Sequence, residues 1–310
     1  MIHNKFTPSI CYFLFFVTSF FICCNTDVIA QTKQIKPKTI NHKFKAPKKI
    51  THVTKNKKHI TKKKISQSRL PKSNLLVDVK QAKIIDAYNP YKKIYPASLT
   101  KLMTLYVLFS ELKENRISLH SKIKFSKKAS QMPASKLHLK PGEKITVKDS
   151  ISALIVKSAN DAAIAIAETI SGSEKVFVKK MNLHAQKLQM FNTYFANASG
   201  LHNDKQISTA SDIAKLVLAL KKDFPKYSKL LQLHSFKFRG KIITSENNKP
   251  IFHYSGVKWL KSGFTNKAGR NLMVSASINN AEVIAVTTGN ISHFERNQNI
   301  KKLLNKCKTI

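Results

Sequence analysis

The hydrophobic period changes twice along this 310-residue chain, and that double switch limits its fold more than any other feature. Leu75-Leu76-Val77-Asp78-Val79 alternates, Gln81-Ala82 supplies a turn, and Ile84 to Tyr88 reads as the returning strand before Asn89-Pro90 breaks it. After Pro96 the apolar residues Leu99, Leu102, Met103, Tyr106 and Val107 follow helical spacing, so a helix begins near Ala97. Helical signals then dominate to about Leu233. Pro141-Gly142-Glu143-Lys144 is a turn, and Thr146 to Asp149 has capping-box spacing with Asp in place of Glu, opening a helix through Ile151, Leu154 and Ile155. A very apolar helix from Ala162 to Ile170 stops at Gly172, and further helices fit Lys175 to Leu188 and Ser211 to Lys221. The period returns to two at Phe236-Lys237-Phe238 and Lys241 to Thr244. Trp259 to Phe264, Leu272 to Ile278 and Val283 to Thr288 continue it, with Asn279-Asn280 as a hairpin turn and Phe294 to Leu304 as a closing helix. Strands from both ends around a long helical insertion describe an antiparallel sheet with helices plus a helical subdomain, a mixed α/β chain of the α+β type.

The first thirty residues read as an address. A short start with Lys5 leads into an apolar run from Ile10 to Cys24, and Val28-Ile29-Ala30 offers small residues for a signal peptidase. The run is short for a membrane span. Cleavage after Ala30 is the expectation, with an uncleaved anchor as the alternative. Cys11, Cys23 and Cys24 fall in this segment, so a cleaved chain keeps Cys307 and forms no internal disulfide. Residues 31–74 are Lys-rich, contain no Asp or Glu, and show no sustained period; they read as a disordered basic linker, either a tether to an anionic membrane or wall polymer or a spacer.

The net charge of +39 calls for anionic surroundings. Nearly all of it is Lys. Arg is the residue of choice for bidentate phosphate and guanine contacts, which argues against a nucleic-acid partner.

Three short segments carry candidate chemistry. Ser98-Leu99-Thr100-Lys101 places a hydroxyl and an amine one helical turn apart, and a neutral amine there could take the hydroxyl's proton. The same spacing recurs at Ser110, Ser121 and Ser255, so the pattern alone also fits solvated residues; the strand-to-helix context of Tyr95-Pro96-Ala97 singles out Ser98. Ser158 and Asn160 lie in a polar break between two apolar helices, where they either enter a cleft or cap a helix. Lys261-Ser262-Gly263 on a strand suits a carboxylate site, the Gly letting an extended peptide approach the backbone; a solvated Lys at a strand end is the bland reading.

Together, in that order and about 60 and 100 residues apart, these segments resemble the serine-type D-Ala-D-Ala carboxypeptidases, the low-molecular-mass penicillin-binding proteins of peptidase family S11. Ala97 to Thr104 resembles the family's nucleophile block, Leu139 to Val147 its turn before the second motif, and Ser158 to Ala163 the second motif. Asn197-Ala198-Ser199-Gly200-Leu201, Ser208-Thr209-Ala210 and Lys261 to Leu272 also fit. Ser262 stands where Thr is usual and Ala159 where Gly is common.

The resemblance spans about Leu75 to Leu304. It implies a β-lactamase/transpeptidase-like fold with a five-stranded antiparallel sheet, a catalytic domain at 75–308 and a helical subdomain at about 104–235. The implied roles are Ser98 as nucleophile, Lys101 as base, Ser158 as proton relay, Asn160 holding Lys101 and substrate, and Lys261, Ser262 and Gly263 binding the substrate carboxylate end. The N–H groups of Ser98 and Phe264 form the implied oxyanion hole. Stem peptides of peptidoglycan ending in D-Ala-D-Ala are the implied partners, β-lactams the covalent inhibitors, and no cofactor or metal is implied. The family's second all-β domain and C-terminal amphipathic helix are not seen in these 310 residues.

Three other readings stay open. A D,D-endopeptidase of wall cross-links shares the motifs. A class A-like β-lactamase needs a Glu-positioned water, and Glu168 and Glu174 lack that setting. A non-catalytic basic wall-binding protein would need neither Ser98 nor Lys101.

Overall fold

The computed structural model describes residues 70–245 and 248–308. The expected export segment at 1–30, and the expected linker as far as residue 69, lie outside the described residues. The linker's expected end is corrected: strand β1 (Ser73–Asp78) begins before it, because Ser73 and Asn74 pair with Thr288 and Thr287.

Strands β1 and β2 (Lys83–Tyr88) form the first hairpin. A 3₁₀ turn at Ala97–Thr100 runs into α1 (Lys101–Lys113). A two-stranded ribbon of β3 (Lys122–Lys124) and β4 (Lys144–Thr146) follows, with the short α2 (Lys127–Ser130) between them. The ribbon's three-residue strands are too short for period two to show, so the sequence gives no sign of them. Then come α3 (Val147–Ser152), a π turn at Ala153–Lys157, α4 (Asn160–Ser171), α5 (Glu174–Lys187), α6 (Ala210–Asp223) and α7 (Pro225–Ser228). The remainder is β5 (Ser235–Phe238), β6 (Lys241–Thr244), α8 (Lys249–Phe252), β7 (Val257–Thr265), β8 (Gly269–Ile278), β9 (Ala281–Asn290) and α9 (His293–Asn305).

The main sheet has five antiparallel strands in the order β2-β1-β9-β8-β7, closed by pairing a strand from each end of the fold, β1 with β9. β5 and β6 read as strands from the sequence and are strands, but among the described residues they pair with each other alone, as a separate hairpin. Alternation sends the sheet's side chains to two cores. Leu75, Val77, Met273, Ile284 and Val286 join the larger cluster with α1, α4 and α6. Leu76, Leu272, Val274, Val283 and Ala285 join a smaller one with Ile300, Leu303 and Leu304 of α9. With both faces covered, β8 and β9 are buried along most of their length.

The sequence-level turns behave as their chemistry requires. Asn279 and Asn280 both take positive φ, 47° and 62°, the conformation of a tight hairpin turn that Asn tolerates. Thr146 Oγ1 accepts from the Asp149 N–H and caps α3. Helix α1 is buried on nearly every side, including its first residue, Lys101. It leaves the 3₁₀ turn facing β7, which is an edge strand of the sheet.

Candidate active site

Lys101 is 0% exposed and its Nζ reaches three oxygens. Ser98 Oγ is 3.1 Å away, Asn160 Oδ1 is 2.7 Å away, and the Ser199 carbonyl oxygen completes the set. The orientation of the Asn160 amide is fixed by its other end, where Nδ2 donates to the carbonyls of Pro133 and Ala134 at 3.0 and 3.2 Å. Two of the three oxygens around Lys101 can therefore only accept. A neutral amine has two protons and one lone pair. It would spend the protons on Asn160 and Ser199 and keep the lone pair for the Ser98 hydroxyl proton. Burial favours the neutral form: desolvation pushes the Lys101 pKa well below its usual value, the charge of Lys261 pushes the same way, and Asp161 opposes both.

The helix break after the π turn places Ser158 at φ 57°, ψ 38°, a left-handed residue that ends one helix before the next begins. Its Oγ accepts from Lys261 Nζ at 2.8 Å. The cap of α4 is Ala159, with no side-chain bond. Helix capping thus does not explain Ser158 or Asn160; both side chains are turned toward the two lysines. Asp161 accepts from the Leu137 and His138 N–H groups at 2.8 and 3.2 Å, and so pins the loop whose carbonyls hold Asn160.

Lys261 is not a solvated strand-end residue. It is 1% exposed in the body of β7, and burial lowers its pKa to about 7. Ser262 Oγ accepts from Asn248 Nδ2 at 3.2 Å. Gly263 lets β7 lie flush against the Ala97–Thr100 turn: a Cβ there would be 3.0 Å from both the Pro96 carbonyl oxygen and the Ser98 nitrogen. Phe264 is half exposed, with the Arg270 guanidinium 4.5 Å above its ring.

These segments enclose a cleft of about 490 Å³, lined by Ser98, Ser158, Asn160, Lys261, Ser262 and Phe264. Lys101 sits behind Ser98, beneath the lining. Sequence reasoning missed Asn248, Arg270, His293 and Arg296, which also face the cleft. Arg296 is 2% exposed, and its pKa, lowered by burial and by Arg270 to about 10, leaves it cationic. The available signal was scarcity: the chain has five Arg among 55 basic residues, and two of the five are here. The missed carbonyl of Ser199 has no side-chain signature at all.

The arrangement can bind an anion at its cationic end, extend a peptide along the free edge of β7, and ionise a serine with an uncharged amine. Comparison with known proteins agrees in kind. Residues 57–292 match the family described as Peptidase S11, D-alanyl-D-alanine carboxypeptidase. D-alanyl-D-alanine carboxypeptidase DacF of Bacillus subtilis is 35% identical over 237 residues, 75% of this chain and 61% of the relative. The chain therefore spans less than two thirds of that relative's length. Penicillin-binding protein 5 from Haemophilus influenzae superposes with a TM-score of 0.71 at 33% identity, over 75% of this chain and 69% of that one. Penicillin-binding protein D2 from Listeria monocytogenes, in its ampicillin-bound form, does so with a TM-score of 0.69 at 27% identity, over 76% and 97%.

Proposed function

The chain belongs to the peptidase S11 family of D-alanyl-D-alanine carboxypeptidases, and from that membership we propose that it removes the terminal D-Ala from peptidoglycan stem peptides through an acyl-enzyme on Ser98. The observation that carries the reading is the Lys101 amine, fully buried, its pKa pushed down by that burial, with one hydroxyl among its three oxygen neighbours.

Ser98 Oγ attacks the carbonyl of the penultimate D-Ala while its proton passes to Lys101 Nζ. The N–H groups of Ser98 and Phe264 receive the developing oxyanion, an interaction of about 3 kcal/mol for each well-aimed donor. The C–N bond then breaks. The proton held by Lys101 passes by way of Ser158, which is linked to Lys261, to the leaving amine, so free D-Ala departs and Lys101 is neutral again. Water then adds to the ester and gives a proton to Lys101, which hands it to Ser98 Oγ as the Oγ–C bond breaks. Lys261, Ser262 and the nearby Arg296 hold the substrate carboxylate. Asn160 holds Lys101 and the substrate amide.

A β-lactam would acylate the same Ser98 through its ring carbonyl. The site of action is outside the cytoplasm, where stem peptides lie; the apolar first thirty residues support that address.

The test is incubation with a labelled penicillin and mass mapping of the adduct. The expected label sits on the Ser98 peptide and is absent from Ser98→Ala. Labelling that persists in that variant refutes the assignment. Offering a pentapeptide beside a cross-linked dimer separates carboxypeptidase from endopeptidase action.

A further inference from the structure

Ser262 has one proton and must spend it on the substrate carboxylate, which can only accept. A serine is looser in χ1 than a threonine, and its O–H also rotates about the Cβ–Oγ bond. Something else has to decide where its proton points.

Asn248 is placed to do so. It is 5% exposed and lines the cleft beside Ser262. Its Nδ2 donates to Ser262 Oγ at 3.2 Å and to Ser245 Oγ at 2.7 Å. The residue is held rigidly. Its own N–H donates to the Ser245 carbonyl at 2.9 Å, and Ile251, three residues on, is fully buried in the α9 core. Among the described residues the amide oxygen Oδ1 is buried without a hydrogen-bond partner.

Resting on the carboxypeptidase reading, we propose that Asn248 is a positioning residue: by filling an acceptor site of Ser262 Oγ, it turns the Ser262 O–H into the cleft toward the substrate's terminal carboxylate. The polarity matters as much as the contact. An acceptor at position 248 would draw the same proton away from the substrate.

The test is steady-state kinetics on a peptide ending in D-Ala-D-Ala, with wild type, Asn248→Ala, Asn248→Asp and the double variant Asn248→Ala/Ser262→Thr. Asn248→Ala is expected to raise KM about tenfold, the scale of one hydrogen bond to a charged group, with kcat little changed. The isosteric Asn248→Asp reverses the polarity and is expected to raise KM further. The Thr rotamer in the double variant recovers part of the loss. Unchanged KM in both single variants, or a fall in kcat that Ser262→Thr does not rescue, overturns the inference. Wild type that neither turns over the peptide nor labels with penicillin overturns the functional reading itself, so the two failures are told apart in one experiment.

Discussion

Gly200 is pressed against Ala97 so closely that a Cβ on it would lie 2.0 Å from the Ala97 carbonyl oxygen. Its φ is +84°, so any side chain there meets both backbone strain and a collision. The contact joins the two halves of the proton-transfer geometry, since Ser199 supplies an acceptor for Lys101 and Ala97 precedes Ser98. Gly200→Ala should lower the melting temperature by at least about 5 °C and abolish penicillin labelling. Gly142 is the internal control. It has φ +89° with nothing within 4 Å, so Gly142→Ala carries the strain alone and should keep labelling. Equal behaviour of the two variants would mean that the contact with Ala97 is immaterial.

The acid limb of acylation should report the protonation of Lys101. Its pKa is held down by burial first and by Lys261 second. Asn160→Asp puts a carboxylate where an amide oxygen now lies 2.7 Å from Nζ. A negative neighbour favours the ammonium, so the limb should move to higher pH and acylation near neutrality should slow. Measuring the acylation rate constant against pH decides it. A limb that stays in place, or moves to lower pH, would show that another group governs the reaction.

The two buried lysines also set the sign of stability against pH. Lys261 releases its proton at about 7 in the folded chain, against 10.5 when unfolded. Below about 7 both states carry the proton and the burial penalty is fully present. Between the two values the unfolded state binds more protons, so stability rises with pH across that window. Lys101, also lowered, adds in the same direction. Lys261→Met should flatten the rise. Urea midpoints from about pH 7 to about pH 10 measure it, and parallel slopes in variant and wild type would contradict the buried-charge account.

What the sequence revealed and what it hid divide along physical lines. Strands β7, β8 and β9 and helices α4, α5 and α6 were legible because periodicity is local and each is long enough to show it. Asn279-Asn280 and Thr146 were legible because turn and cap chemistry is local too. The ribbon of β3 and β4 was not, being three residues a side. At the site, the order of Ser98, Ser158 and Lys261 could be read, but not that Lys101 and Lys261 are buried: a lysine's environment is set by distant segments packing around it. Arg270 and Arg296 were invisible for the same reason, since β8 and α9 bring them to the cleft only in three dimensions.

Fast release of a bound β-lactam needs a carboxylate that positions and activates water at the ester. Neither of the two glutamates nearest the second motif lines the cleft. Glu174 begins α5, where Oε1 accepts from the Ala198 N–H at 3.1 Å and Oε2 pairs with Lys128 at 2.6 Å. Glu168 lies within α4 with Oε2 buried. On the proposed mechanism water is activated by Lys101, which in the penicilloyl adduct faces an ester beside a bulky group that has not departed, unlike the D-Ala leaving group of a peptide. The adduct should therefore persist long after free penicillin is removed, while a peptide substrate turns over repeatedly. Following the intact mass of the labelled protein after rapid desalting measures this, and Glu168→Gln should leave the decay unchanged. Loss of the adduct as fast as peptide turnover, slowed by Glu168→Gln, would point to a β-lactamase instead.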